Sequence, residues 1–245
     1  MNIQEQEYCP VIKRWVNIVD GNMHFTKDNE STTLEDVIGG GSQGGDIPFI
    51  FFTIIEQLMS SLQYRSIDVA GLGSATIGKL LAEHRIHTRY IEISPVVAKL
   101  CQKYFNILPQ ETITIDDINN YIQNISPKTN TVLFLDAYID SFKSTLSTVR
   151  LGLDKYPIVA LNCTHSGISD NVIDKINTPY TLVGISDEYN DIDTGLVKVN
   201  NKTYSTGWNN EILLLFKEQR FIEKLNDIFQ HKLYDIVNSS GWIKS

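Results

Sequence analysis

Cysteine is scarce in this chain. Three occur, Cys9, Cys101 and Cys163, an odd number at wide spacing with no C-x-x-C pair, so neither a disulfide framework nor a zinc site is indicated. An excess of positive charge is also absent. Lys and Arg number 21 against 29 Asp and Glu, a formal net charge of −8, and the basic footprint that binds phosphate backbones or anionic membranes is missing. The same acidic balance is compatible with a cationic small molecule such as a sulfonium or an ammonium. The opening MNIQEQEYCP has neither a basic start nor an apolar run, so a signal peptide is not expected. The longest apolar stretch, Ile47 to Ile55, is far too short to span a bilayer. The expectation is a cytoplasmic protein with neither nucleic acid nor membrane as partner. Internal repeats and low-complexity tracts are lacking too. What remains is 245 residues, enough for one large domain, or one domain with a small appendage, around a core that needs no staples.

Within that length the punctuation is informative. Two β-branched runs, from Val11 to Phe25, flank Asp20-Gly21, and a D-G pair between such runs signals a hairpin with φ > 0 at both turn positions. A polar stretch and GGGSQGG, Gly39 to Gly45, follow. This tract reads as a connector. A phosphate cradle is the other reading, but no β-branched strand precedes it and no G-K-[ST] follows. Ser42 or Asp46 is placed to cap a helix from about Ile47 to Leu62, with Pro48 in its first turn.

From Ser66 onward strands alternate with helices. The expected strands are 66–72, 88–94, 112–115, 131–137 and 157–163, and the expected helices run to His84, then over 95–105, 118–125 and 142–153. Such alternation predicts βαβ units and a mostly parallel sheet with helices on both faces, a Rossmann-like α/β fold. The near-continuous apolar runs TVLFLDA and PIVALNC suit strands covered on both sides. TLVGIS and EILLLFK add further strands, and Arg220 to Val237 has helical periodicity. The expected division is residues 1–45 as a hairpin region with its linker and 46–245 as a nucleoside-binding catalytic domain.

The strand ends carry the chemistry. D-V-A-G-L-G-S-A-T-I-G, Asp68 to Gly78, puts Gly71, Gly73 and Gly78 at a strand-to-helix turn, where glycine permits close approach of a ligand to the backbone. The spacing G-x-G-x-x-x-x-G differs from the dinucleotide fingerprint. About twenty residues on, Glu92 ends the second strand, where a carboxylate can accept two ribose hydroxyls. Asp116 and Asp117 end the third. One can accept from an adenine amino group and the other can cap the following helix. The fourth ends in Asp136 and Tyr138. Four successive strand ends bearing G-x-G, Glu, Asp-Asp and Asp-x-Tyr point to a nucleoside ligand far more specifically than any one of them.

These segments, from about Val16 to Lys217, resemble the spermidine synthase family of aminopropyltransferases, within the S-adenosylmethionine-dependent methyltransferase fold class. VNIVDGNMHFTKDNE resembles the family's N-terminal hairpin, DVAGLGSATIG its nucleoside loop and YIEISPVVAKLCQKYF its ribose-acid strand and helix. ITIDDINNYI is similar to its adenine segment, VLFLDAYID to its gate loop and TYSTGWNNEILLLFK to its late strands. The resemblance implies that Glu92 holds the ribose and Asp117 the adenine. Asp136 would be the base that deprotonates an attacking amine, and Tyr138 would position the reacting groups. The co-substrate it implies is decarboxylated S-adenosylmethionine, or S-adenosylmethionine itself, with methylthioadenosine released and no metal required, since a sulfonium is already a good leaving group.

The departures fall on the acceptor side. Ile139 stands where the family has a second aspartate, with Asp140 one step later. His24 replaces a glutamine and Phe49 a tyrosine, and L-N-C-T-H-S-G lacks an expected acid, although His165 lies within it. Asp68 and Asp140 are candidates to receive an ammonium, while His24, His165 and Tyr204 are candidates to line the acceptor's pocket. The acceptor is accordingly a small-molecule amine or another nucleophile. Methyl transfer to a small molecule is the alternative reaction, and a non-catalytic nucleoside-binding or assembly protein is a third reading. The hairpin also makes a homodimer an expectation.

Overall fold

The computed structural model describes residues 3–26, 55–56, 58–82, 84–109, 111–136, 142–163, 172, 175–178, 180–185, 197–199, 202–204, 210–218 and 220–221. The chain divides into two compact units, Met1–Phe52 with Ser66–Asn124 and Thr53–Arg65 with Ile125–Ser245.

The first unit opens with an antiparallel sheet of order β1-β2-β3, formed by β1 (Ile3–Cys9), β2 (Arg14–Val19) and β3 (Asn22–Thr26). Val19 pairs with Asn22, so Asp20 and Gly21 form a two-residue turn. Their φ values of 48° and 78° are the left-handed pair that the D-G signal demands. Strand β1 was not expected. Its sequence IQEQEYC alternates, but the side chains it turns toward the protein are polar. Glu5 accepts from Lys103 and from the Tyr104 hydroxyl at 2.6 Å, Glu7 accepts from Lys99 at 2.5 Å, and Cys9 Sγ lies 3.0 Å from Ser94 Oγ. A strand held by ion pairs lacks the apolar alternation by which strands are read.

The rest of this unit is a parallel βαβ array. Strands β4 (Ser66–Ala70), β5 (His87–Glu92) and β6 (Glu111–Ile115) lie in that order, each followed by a helix: α1 (Thr76–Ala82), α2 (Pro95–Tyr104) and α3 (Ile118–Asn124). Ser94 caps α2, its Oγ accepting the Val97 N–H at 3.1 Å, and Pro95 supplies a first helical residue whose missing N–H had no partner to lose. Val96, Val97, Ala98, Leu100 and Cys101 bury one face of α2, and Ile67, Val69, Ala70, Tyr90 and Ile91 fill the strands.

The second unit contains β7 (Thr131–Leu135), α4 (Phe142–Lys155), β8 (Ile158–Cys163), β9 (Tyr180–Ile185), β10 (Val197–Val199), β11 (Lys202–Tyr204) and β12 (Asn210–Phe216), with strand order β11-β10-β9-β12-β8-β7. β7 and β8 are parallel, and the remaining strands extend the sheet antiparallel. All five residues of β7 are buried, as its unbroken apolar run requires. Gly152 lets α4 lie close on these strands, because a Cβ there would stand 2.9 Å from Leu133 Cδ2. β10 and β11 were not expected, although Asn200-Asn201 between V-K-V and K-T-Y is a hairpin signal and Val199 does pair with Lys202.

Residues 55–56 and 58–61 are helical, as are 220–221. Leu62 lies in a turn, and residues 47–54, 57 and 222–237 of the two expected helices, the GGGSQGG tract, Ser42, Pro48 and Asp46 lie outside the described residues. No described helix is long and apolar enough to cross a membrane.

Candidate functional site

The candidate site is built where β4, β5 and β6 end. After Ala70 the chain must turn sharply into α1. Gly71 (φ 99°), Gly73 (φ 50°) and Ala75 (φ 57°) all adopt left-handed backbone. At Gly73 nothing lies within 4 Å of where a Cβ would sit, so backbone conformation alone asks for glycine there. The Gly71 N–H reaches Ile91 O at 2.9 Å and prolongs the β4–β5 ladder into the turn.

Gly78 serves another purpose. A Cβ there would stand 1.8 Å from Glu111 Oε1 and 2.6 Å from the Tyr90 hydroxyl. The Gly78 N–H donates to that hydroxyl at 2.6 Å. The hydroxyl itself lies 3.1 Å from Ala75 O and 3.0 Å from Glu111 Oε1, either of which can take its proton. Glu111 Oε2 accepts the Leu108 N–H. Burial holds the Tyr90 phenol well above its ordinary range. Gly78 therefore belongs to a buried brace beneath the turn.

Glu92 is 7% exposed and ties two turns together. Its Oε2 accepts the Leu72 N–H at 3.0 Å and its Oε1 the Ser94 N–H at 2.8 Å. Burial raises its carboxyl above the usual range, and the backbone N–H groups pull the other way. The Ile93 N–H acts on the same carboxyl.

At the end of β6 the two aspartates separate. Asp117 Oδ1 accepts the N–H groups of Asn119 at 2.9 Å and Asn120 at 3.1 Å, which makes it the cap of α3. Asp116 Oδ1 accepts from the Asp117 N–H at 2.9 Å and Asn120 Nδ2 at 2.8 Å, and the Asp116 N–H joins Glu92 O at 3.1 Å. Each aspartate thus uses one carboxylate oxygen, Oδ1, within the turn and the start of α3. Ile93 and Ile115 are 43% and 51% exposed beside these acids, with Ile115 in register with Glu92. Each is a large apolar side chain left open at a strand end. The reading of acids alone missed them.

Asp68 is the candidate receptor for an ammonium. It sits in mid-strand, 1% exposed, with Arg89 Nη1 at 3.4 Å and the Tyr121 hydroxyl donating at 3.2 Å. Arg89 Nη1 in turn donates to that hydroxyl at 2.9 Å. Its carboxylate is therefore already paired to a guanidinium and a phenol within the protein.

In the second unit Asp136 follows β7, and Asn162 Nδ2 donates to its Oδ1 at 2.7 Å. The Asp136 side chain keeps open surface, yet the protein volume around it excludes enough water to push its carboxyl up to about 6. Burial is the larger cause, and the Asn162 donation works against it. Tyr138, Asp140 and His165 lie outside the described residues, and of Tyr204 only its place in β11 is described. His24 is half-buried in the middle of β3, in register with Asn17. Among the described residues no group of three or more His, Cys, Asp or Glu is placed to hold a metal.

No protein-family model matches the chain, and no curated protein sequence does. Solved structures do match. The chain is similar to a spermidine synthase from Thermotoga maritima, with a TM-score of 0.58 at 11% identity over 91% of this chain and 75% of that one. It is similar to a probable spermidine synthase from Corynebacterium glutamicum ATCC 13032, with a TM-score of 0.52 at 13% identity over 89% and 80%. It is also similar to human methyltransferase-like protein 13 in complex with SAH, with a TM-score of 0.52 at 15% identity over 78% and 99%. At such identities the likeness is one of fold, the Rossmann-like α/β fold shared by these proteins.

Proposed function

We propose that the chain is a transferase that takes an alkyl group from an S-adenosylmethionine-type sulfonium, with aminopropyl transfer from the decarboxylated form to an amine as the leading reaction. The observation that carries this is the joined end of β4, β5 and β6. Glu92 accepts the N–H of Leu72 in the glycine turn, the Asp116 backbone N–H donates to the Glu92 carbonyl, and Ile93 and Ile115 are exposed next to these acids in the chain. In this reading the Glu92 carboxylate takes ribose hydroxyls, the isoleucines meet the ring, and Asp117, with Asp116 beside it, takes the ring's amino group. The fold likeness to two spermidine synthases supports the leading reaction.

In this reading Asp136 is the base. With its carboxyl near 6 it is ionised at neutral pH and still a better proton acceptor than an ordinary aspartate. Tyr138 positions the reacting groups, and Asp140, His24, His165 and Tyr204 are the candidates on the acceptor side. Catalysis then consists of positioning plus removal of one proton. A homodimer belongs to the same reading, and light scattering that gives a monomer removes it.

One observation favours methyl transfer as a second reading. Asp68, one of two carboxylates available to a decarboxylated cofactor's ammonium, is taken by Arg89. Calorimetric binding of methylthioadenosine, decarboxylated S-adenosylmethionine, S-adenosylmethionine and SAH separates the two. Preference for the first pair supports aminopropyl transfer to an amine. Preference for the second pair supports methyl transfer to a small molecule, or transfer of the aminocarboxypropyl group. Binding of none of the four overturns both.

A further inference from the structure

Strands β7 and β8 are parallel with Leu135 in register with Leu161, so the next residues along each strand, Asp136 and Asn162, emerge side by side. Sequence separation hides this pair, because the two lie 26 positions apart. The bond between them is polarised. Asn162 Nδ2 donates to Asp136 Oδ1 at 2.7 Å, the length of a charge-assisted contact. Asn162 Oδ1, buried, has no hydrogen-bond partner among the described residues. An unpaired buried acceptor is unfavourable. The amide nevertheless keeps this orientation, because turning it over would set its oxygen against the carboxylate.

We propose that Asn162 is a positioning residue for Asp136, its amide N–H fixing Oδ1 so that Oδ2 is the atom that takes the proton from the attacking nucleophile. The inference rests on the transferase reading above. In the step it serves, the nucleophile's N–H proton passes to Asp136 Oδ2. The nitrogen lone pair forms the new C–N bond, and the C–S bond breaks with its electron pair leaving on sulfur. Asn162 touches neither reactant; it acts through Asp136. The amide can serve both states of its partner, donating to the carboxylate and, turned over, accepting from the acid.

Among the described residues, Asn162 is the side chain hydrogen-bonded to Asp136. The described side chains of β7 and β8 carry no charge. Helix α4, against β8, carries Lys143, Arg150, Asp154 and Lys155, of which Arg150 donates to Lys175 O and Lys155 to Ile125 O. On β12, Glu211 is in register with Cys163. Burial and the Asn162 donation are the causes acting on the Asp136 carboxyl.

The test is a carbon-13 titration of the Asp136 carboxyl, assigned with D136N, in wild type, N162A and the volume-matched N162L. Removing the donor is expected to move the titration midpoint up by about one pH unit, the worth of one hydrogen bond to a charged group. The acidic limb of the transferase rate is expected to move with it. A folded N162A or N162L variant whose midpoint stays put overturns the proposal, whether or not the chain is a transferase. A midpoint that moves while D136N keeps full turnover leaves the electrostatic pairing but overturns the assignment of Oδ2 as proton acceptor, and with it the role of Asp136 in the transferase reading.

Discussion

The hydroxyl of Tyr90, a residue of β5, accepts the N–H of Gly78 in the first turn of α1 at 2.6 Å. A side chain from one strand thus holds the helix that follows its neighbour, and it does so because residue 78 has no side chain of its own.

Gly78→Ala should therefore be severe. Its Cβ would overlap Glu111 Oε1, and relieving that contact breaks the brace to Tyr90. Urea unfolding should show a loss of about 2–3 kcal/mol, at the upper end of overpacking costs. Tyr90→Phe, which leaves the Gly78 N–H without a partner, should lose about 1–3 kcal/mol.

Glu92→Gln tests the tie between the turns. Both carboxylate oxygens accept backbone N–H groups, from Leu72 and Ser94. An amide sets an NH2 against one of them whichever way it is turned. The expected result is a stability loss of about 1–3 kcal/mol, with weaker calorimetric binding of methylthioadenosine. Unchanged stability would contradict the tie.

Asp136→Asn should separate activity from stability. Turnover should fall on the order of 10²–10⁴-fold, the contribution of a positioned base. Stability should move the other way. The folded carboxyl lies near 6, above its unfolded value, so folding binds a proton between the two, and wild-type stability declines as pH rises through that window. The asparagine escapes this decline. Its melting temperature should exceed wild type at pH 8, with the advantage gone at pH 4. On the proposed transferase reading, the wild-type rate should fall about tenfold per pH unit below about 6 as Asp136 takes up its proton.

Asp68→Asn addresses the buried pair with Arg89. The carboxylate accepts from both Arg89 and Tyr121, so its loss should lower stability by about 1–3 kcal/mol by thermal or urea unfolding. The ratio of affinities for decarboxylated and intact S-adenosylmethionine should stay the same. A change in that ratio would mark Asp68 as a ligand residue.

The sequence by itself determined whatever depends on neighbours along the chain. Asp20-Gly21 specifies a turn through the φ preferences of two residues. Ser94-Pro95 starts a helix through one cap and one missing N–H. The alternation of β-branched runs with helical periods specifies βαβ units, and the apolar run at 131–135 specifies a strand buried on both faces. Placement of Glu92, Asp116 and Asp136 at strand ends follows from the same local rules. Only the tertiary structure decided what those groups touch. Asp68 and Glu92 are both acids on adjacent strands, yet one meets Arg89 and the other two backbone N–H groups, because strand register sets their neighbours. Asp116 and Asp117 are adjacent in the chain, yet the start of α3 takes one for its cap. Strand β1 was hidden because ion pairs hold it in place of an apolar face, and Asn162 because its partner lies on another strand. Hydrogen bonds across 20 to 100 residues are made by strand pairing and packing, and no local pattern encodes which two side chains that packing brings within 3 Å.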